Sequence, residues 1–273
     1  MKHSNDKIII VLFIVVVVAA FAAIIVLGGQ SVKQNDQQNS QQNTTYVVNE
    51  PHVKNISVTR VVDSSCSRCF SLNPVVNSLR SSGVNITSDV TADYSSDEGK
   101  RLVQEYGITT LPAIVMSKDI DNYTFFSNSL PALNATYKDG NYMLQKLRPP
   151  YEDISTGKVL GLVDVIYLND SSCSLCYDVM LHRRILQGYG VAIVNETLVD
   201  ANSTQGRAII SKFGVHYVPT FLMSPDAAYY SVLSGDWSVV GKIVDGWYIF
   251  ANMTAINSAY RNLDNGVIVV PAG

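Results

Sequence analysis

Asp63-Ser64-Ser65-Cys66-Ser67-Arg68-Cys69 returns 107 residues later as Asp170-Ser171-Ser172-Cys173-Ser174-Leu175-Cys176, with one residue changed. The two copies hold all four cysteines of the chain, as two C-x-x-C pairs. A second landmark keeps the same offset: Pro112 lies 46 residues after Cys66, and Pro219 lies 46 residues after Cys173. In the same register Asp93 falls on Asp200, Gly99 on Gly206, Lys100 on Arg207, and Met116-Ser117 on Met223-Ser224. An ungapped register of this length marks an internal duplication.

Outward from each motif the copies read alike. A β-branched run precedes each cysteine pair, Val58–Val61 and Val165–Leu168, and predicts a buried strand ending just before it. A helix is expected after each pair, over Cys176–Gln187 in the second copy; in the first, Asn73-Pro74 bends it or caps a second turn. Gly83 and Gly190 stop these helices. Second strands are expected over Val84–Val90 and Val191–Val199, and second helices over Asp97–Tyr106 and Thr204–Phe213. Third strands, Ala113–Met116 and Thr220–Met223, are entered through the two prolines. Asn122–Phe126 and Tyr229–Leu233 read as fourth strands, and Asp139-Gly140 and Asp245-Gly246 as tight turns. Residues 148–158, around Pro149-Pro150, connect the copies, and the tail from Asn257 carries no pattern.

Ile8–Leu27 is a run of 20 apolar residues without a charge, the length a helix needs to cross a bilayer core. It exceeds the apolar region of a signal peptide, and no A-x-A-like cleavage site follows. Lys2 and Lys7 precede it, which orients the N-terminus to the cytoplasm. The expected organisation is a cytoplasmic 1–7, a membrane anchor 8–27, a Gln/Asn-rich tether 28–50, and two domains, 51–150 and 151–273, outside the cytoplasm. Nine N-x-[ST] sequons stand where about three are expected by chance, which suits a glycosylated surface or lumenal protein. A net charge of −3, with no basic run after the N-terminus, leaves no electrostatic footprint for nucleic acid.

Each copy thus reads β-α-β-α-β-β with a C-x-x-C after its first strand. This α/β pattern resembles the thioredoxin fold, and two units in one chain resemble the tandem-thioredoxin protein disulfide oxidoreductases and the protein disulfide isomerases. The resemblance covers about 55–257. It implies that Cys66 and Cys173 are nucleophiles and that Cys69 and Cys176 resolve the mixed disulfide. It also implies that Pro112 and Pro219 are cis-prolines facing the sulfurs, so that Leu111, Pro112, Val218 and Pro219 present backbone to an extended substrate. No metal or organic cofactor is implied; the redox groups are the pairs Cys66–Cys69 and Cys173–Cys176. Implied partners are exported proteins carrying thiols or disulfides, a membrane redox protein that recycles the sites, and the bilayer around residues 8–27.

The chemistry asks for this arrangement. A thiolate, not a thiol, attacks a disulfide, and a cysteine at a helix N-terminus has its charge stabilised there. Two departures from the resemblance bear on turnover. Where active thioredoxins carry a buried acid six residues before the first cysteine, this chain has Arg60 and Tyr167; the usual aromatic residue before that cysteine is Ser65 or Ser172. Asp63 and Asp170 stand in for the acid or cap the helix. Arg68, between the first pair, is expected to make the first site the stronger oxidant, against Leu175 in the second. His216 lies near the second site, and His182 has no evident partner. Asn169 is a sequon abutting the second motif, where a glycan would crowd Cys173. Competing readings are inert bracing disulfides, to which so short a loop contributes little, a four-cysteine zinc site, and a polypeptide-docking module with slow exchange or none.

Overall fold

The computed structural model describes residues 54–130, 132–234 and 237–271, so the apolar run 8–27, the tether and the sequon at Asn43 lie outside the described residues. Among the described residues no helix is long and apolar enough to cross a membrane. The described chain is mixed α/β and is consistent with thioredoxin-like folds. It divides into two units, one from residues 54–67 and 71–147, the other from 68–70 and 148–271.

In the first unit β1 (Ile56–Val62) leads through α1 (Asn73–Ser81) to β2 (Ile86–Asp93), then α2 (Asp97–Tyr106), β3 (Ala113–Ser117), β4 (Thr136–Lys138) and β5 (Asn141–Gln145). The strands order as β2-β1-β3-β5-β4. β1 and β2 are parallel, as a helical crossover permits, and the remaining pairs are antiparallel. Ser96 caps α2 by accepting from the Gly99 amide at 3.0 Å. Gly99 must be glycine because a Cβ there would stand 1.9 Å from the Asp93 carbonyl oxygen.

The second unit opens on a short hairpin, β6 (Tyr151–Asp153) and β7 (Lys158–Leu160), in the span expected to be connection only. It continues through β8 (Leu162–Asn169), α3 (Leu181–Gly188), β9 (Ala192–Asp200), α4 (Thr204–Phe213), β10 (Tyr217–Val218), β11 (Thr220–Met223), β12 (Gly241–Val244) and β13 (Trp247–Phe250). The second five-stranded sheet, β9-β8-β11-β13-β12, has the strand order of the first. Ser203 caps α4 on the Gly206 amide at 2.9 Å, and Gly206 is as confined as Gly99. Both sheet faces are covered. Val163, Val165 and Tyr167 pack in one cluster with Leu186, Phe221 and Phe250, while Leu168 joins Val199, Phe213, Leu222 and Ile249 in another. Burial on both faces is why β8 reads as a nearly continuous apolar run.

Three expectations are corrected. Asn122–Phe126 and Tyr229–Leu233 are helical rather than fourth strands: Lys118–Asn122 and Pro225–Tyr229 are 3₁₀ turns, followed by one-turn helices Thr124–Ser127 and Ser231–Ser234. Two tyrosines 107 residues apart fix them. The Tyr123 hydroxyl accepts from the Asn85 amide and donates to the Lys54 carbonyl, at 3.0 and 3.2 Å. The Tyr230 hydroxyl does the same with Ala192 and Gly161, at 2.8 and 2.7 Å. Each ring reaches from its helical turn to the beginning of the parallel strand pair, which an outer strand could not do. The fourth and fifth strands lie later, around Asp139-Gly140 and Asp245-Gly246, both left-handed as a tight hairpin turn requires. Finally, the tail is structured: β14 (Tyr260–Asn262) and β15 (Ile268–Val269) form a hairpin.

Tyr230 is 3% exposed, so Tyr230→Phe leaves the Ala192 amide and the Gly161 carbonyl without their partner. Urea unfolding of the second unit is expected to lose about 1–3 kcal/mol, the cost of stranding buried polar groups. An unchanged midpoint would show that water replaces the hydroxyl.

Candidate active site: two disulfides in duplicated turns

Each first strand ends against the start of its third strand. Val61 pairs with Ala113 and Leu168 with Thr220. This pairing brings Pro112 and Pro219 to the strand ends from which the cysteine motifs leave. Both Leu111–Pro112 and Val218–Pro219 are cis, as is Pro149–Pro150. Cys173 and Cys176 are joined by a disulfide, and Cys66 and Cys69 are disulfide-bonded as well.

The motifs sit in turns and not, as expected, at helix starts. α1 begins at Asn73, with Pro74 in its first turn, because proline lacks an amide and restrains the residue before it. α3 begins at Leu181, so the expected helix from Cys176 is corrected to Leu181–Gly188. The Tyr177 amide is turned away to the Ala259 carbonyl at 3.0 Å, and Asp178 accepts from the Met180 amide at 2.9 Å in a turn that launches the helix there. Neither Asp63 nor Asp170 caps a helix. Each accepts from the serine amide two residues on, Ser65 at 2.7 Å and Ser172 at 3.0 Å. From outside the turn, Asp93 accepts from the Ser64 amide and Asp200 from the Ser171 amide, at 3.0 and 2.9 Å. The serine hydrogen bonds hold both carboxyls below the usual carboxylate range. The aligned aspartates Asp93 and Asp200 are therefore braces of the cysteine turns.

The positions of the missing acids have other duties. Arg60 pairs with Asp89 and reaches Asn73 at 2.5 Å, and Tyr167 donates to Glu196 at 3.1 Å. Arg68 and Leu175, between the cysteines, are both exposed. In the second unit a carboxylate does approach the sulfurs: Asp170, 3% exposed, has an oxygen within 4.8 Å of both Cys173 and Cys176 sulfurs. Burial raises the Asp170 pKa, but hydrogen bonds from Ser172 and Arg261 outweigh it and keep the group ionised. Arg261 Nε lies 2.5 Å from Asp170 Oδ2, and its Nη2 lies 3.2 Å from the Ser172 hydroxyl. Cys69 and Glu152, both in this unit, bring a sulfur and a carboxylate oxygen within 4.8 Å of each other.

His182 acquires a partner the sequence did not reveal. The Tyr177 hydroxyl donates to the Pro219 carbonyl at 2.7 Å and lies 3.0 Å from His182 Nε2. With its proton committed to Pro219, the hydroxyl accepts from the imidazole, which fixes the Nε2–H tautomer. His182 is otherwise enclosed by Phe221 and Phe250, at ring separations of 4.4 and 4.9 Å. Burial pushes its pKa down to about 4. This chain of bonds ties the residue after Cys176 to the cis-proline. His216, expected beside the second site, is exposed and paired with Asp264. Within the second pair Cys173, the nucleophile by resemblance, is 7% exposed, whereas Cys176 is half-buried.

No protein-family model matches the chain, and no curated protein matches it. Solved structures to which it is similar include a mutant of the alkylhydroperoxide reductase AhpF from Enterococcus faecalis, at 14% identity over 62% of this chain and 81% of that one, with a TM-score of 0.20. A protein disulfide oxidoreductase from Aeropyrum pernix is 17% identical over 63% of this chain and 77% of that one, with a TM-score of 0.19. Scores this low assign nothing to the chain by themselves. The chemistry rests on its own residues: two C-x-x-C pairs, each able to cycle between disulfide and dithiol, which supports a thiol–disulfide redox function in general terms.

Proposed function

We propose that the chain is a membrane-anchored, extracytoplasmic thiol–disulfide oxidoreductase built on two thioredoxin-like domains. It exchanges disulfides with exported polypeptides, needs neither metal nor organic cofactor, and is recycled by a membrane redox partner. The observation that carries the reading is the duplicated turn: two C-x-x-C disulfides, each braced by an aspartate 27 residues after its first cysteine and set beside a cis-proline. A disulfide needed only for bracing has no use for such a setting, because a loop this short restrains the unfolded chain little. Cys69→Ser removes the resolving thiol and is expected to accumulate mixed disulfides between Cys66 and exported polypeptides. A chain that traps nothing, while Cys66 alkylates freely, would sink the reading.

The burial of Cys173 and the absence of an acid at Arg60 and Tyr167 favour a second reading, a polypeptide-docking module with resting disulfides. Binding of unfolded polypeptides that survives replacement of all four cysteines by serine distinguishes it.

A further inference from the structure

The C-terminal hairpin lies on the edge that leads into Pro219. Tyr217 is in register with Asn262 and Val218 with Arg261 in an antiparallel pair. The Leu263 amide adds a bond to the His216 carbonyl at 2.8 Å, and the Ala259 carbonyl takes the Tyr177 amide. Side chains repeat the attachment. Tyr260 packs edge-on against Tyr217 with ring centroids 5.5 Å apart, and His216 Nδ1 meets Asp264 at 2.9 Å. Arg261 then reaches over the cysteine turn to Asp170 and Ser172. The backbone groups that an extended polypeptide would use beside this disulfide are thus taken by the chain's own strand, and Cys173 is buried.

We infer that this hairpin sets the substrate class of the second pair: Cys173–Cys176 exchanges with low-molecular-weight dithiols and excludes extended polypeptides, with Arg261 as the specificity-determining residue. The inference rests on the redox reading of that pair. In the exchange a dithiol's thiolate attacks one sulfur of the Cys173–Cys176 bond, which breaks to a mixed disulfide and a cysteine thiolate. The dithiol's second thiolate then attacks the dithiol's first sulfur in that mixed disulfide and displaces the remaining cysteine as a thiolate. The dithiol leaves as a cyclic disulfide, and its two electrons and two protons end on the cysteines. A small dithiol needs only an exposed sulfur edge, such as that of half-buried Cys176, whereas a polypeptide needs the hairpin off.

The test reduces the full chain with dithiothreitol or with a cysteine-containing unfolded polypeptide, quenches by alkylation, and reads Cys173 and Cys176 by peptide mass. If the hairpin is open in about 1% of molecules, a reaction that needs it open is slowed about 100-fold. Dithiothreitol is therefore expected to react about 100-fold faster than the polypeptide, after correction for their reactivity toward a free disulfide. Arg261→Gln, and separately Leu263→Pro, which removes the hairpin amide that donates to the His216 carbonyl, are expected to raise the polypeptide rate at least about tenfold with little change for dithiothreitol. Equal corrected rates in the unaltered chain, or a ratio that neither variant shifts, overturn the inference and leave the redox reading intact. A pair that neither reagent opens overturns both.

Discussion

Acidifying the protein from pH 6.5 to about pH 4 is expected to destabilise its second unit through His182. Burial lowers the folded-state pKa of this imidazole to about 4, while the unfolded chain retains the ordinary value of 6.5. Between those values the unfolded state binds the extra proton, so stability rises with pH across the window and is fully present above it. A tenfold change in proton affinity corresponds to about 1.4 kcal/mol, so about 3 kcal/mol is lost on going down to pH 4. The cause is geometric. A protonated ring would carry its charge against Phe221 and Phe250, with the Tyr177 hydroxyl as its hydrogen-bond partner. Urea midpoints at pH 7, 5.5 and 4.5 measure the slope. His182→Phe is expected to flatten it while keeping the ring stack. A slope that persists in His182→Phe would place the titration elsewhere.

Asp170→Ala is expected to cost the second unit about 3 kcal/mol at neutral pH, near the lower end for breaking a buried ion pair because Arg261 keeps 24% of its side-chain surface in water. The substitution strands the Arg261 guanidinium, the Ser172 amide and hydroxyl, and the Asn202 side-chain amide, all of which converge on one carboxylate. Its pH signature differs from that of His182. A carboxylate held below its ordinary pKa stabilises the fold above the unfolded value of about 3.9, and loses that effect only as pH falls further, through its folded value. The two groups therefore titrate in adjacent windows, imidazole above pH 4 and carboxylate below. Thermal unfolding of Asp170→Ala, Arg261→Ala and the double variant gives the coupling. Costs that simply add would show that the pair contributes nothing as a pair.

Much of the architecture was legible because the duplication reports every landmark twice. The strand leading into each motif, the helices Asp97–Tyr106 and Thr204–Phe213, and the strands after Pro112 and Pro219 fall where apolar runs and helix-stop glycines put them. The misread elements are those decided by contacts distant in sequence. Tyr123 and Tyr230 turn two β-prone segments into helical turns by reaching strands more than 30 residues away. The helix after Cys176 starts late because its amides are claimed by Ala259 and Asp178. At the site, the cysteines and prolines could be named from spacing alone, whereas Arg261, Tyr177 and His182 could not. A faint signal for Arg261 did exist: Tyr260-Arg261-Asn262 follows the second copy much as Tyr151-Glu152-Asp153 follows the first.

Because neither cysteine pair opens a helix, its thiolates lack that stabilisation, and the pairs are expected to be milder oxidants than a helix-borne C-x-x-C. Redox titration of the full chain in glutathione and dithiothreitol buffers, with the two pairs resolved by alkylation and peptide mass, measures this directly. Reversible transitions for both pairs are expected between about −200 and −300 mV, the range of exchange enzymes that work against cellular thiols. Pairs that remain oxidised well below about −300 mV would be structural disulfides, and the exchange function would be contradicted.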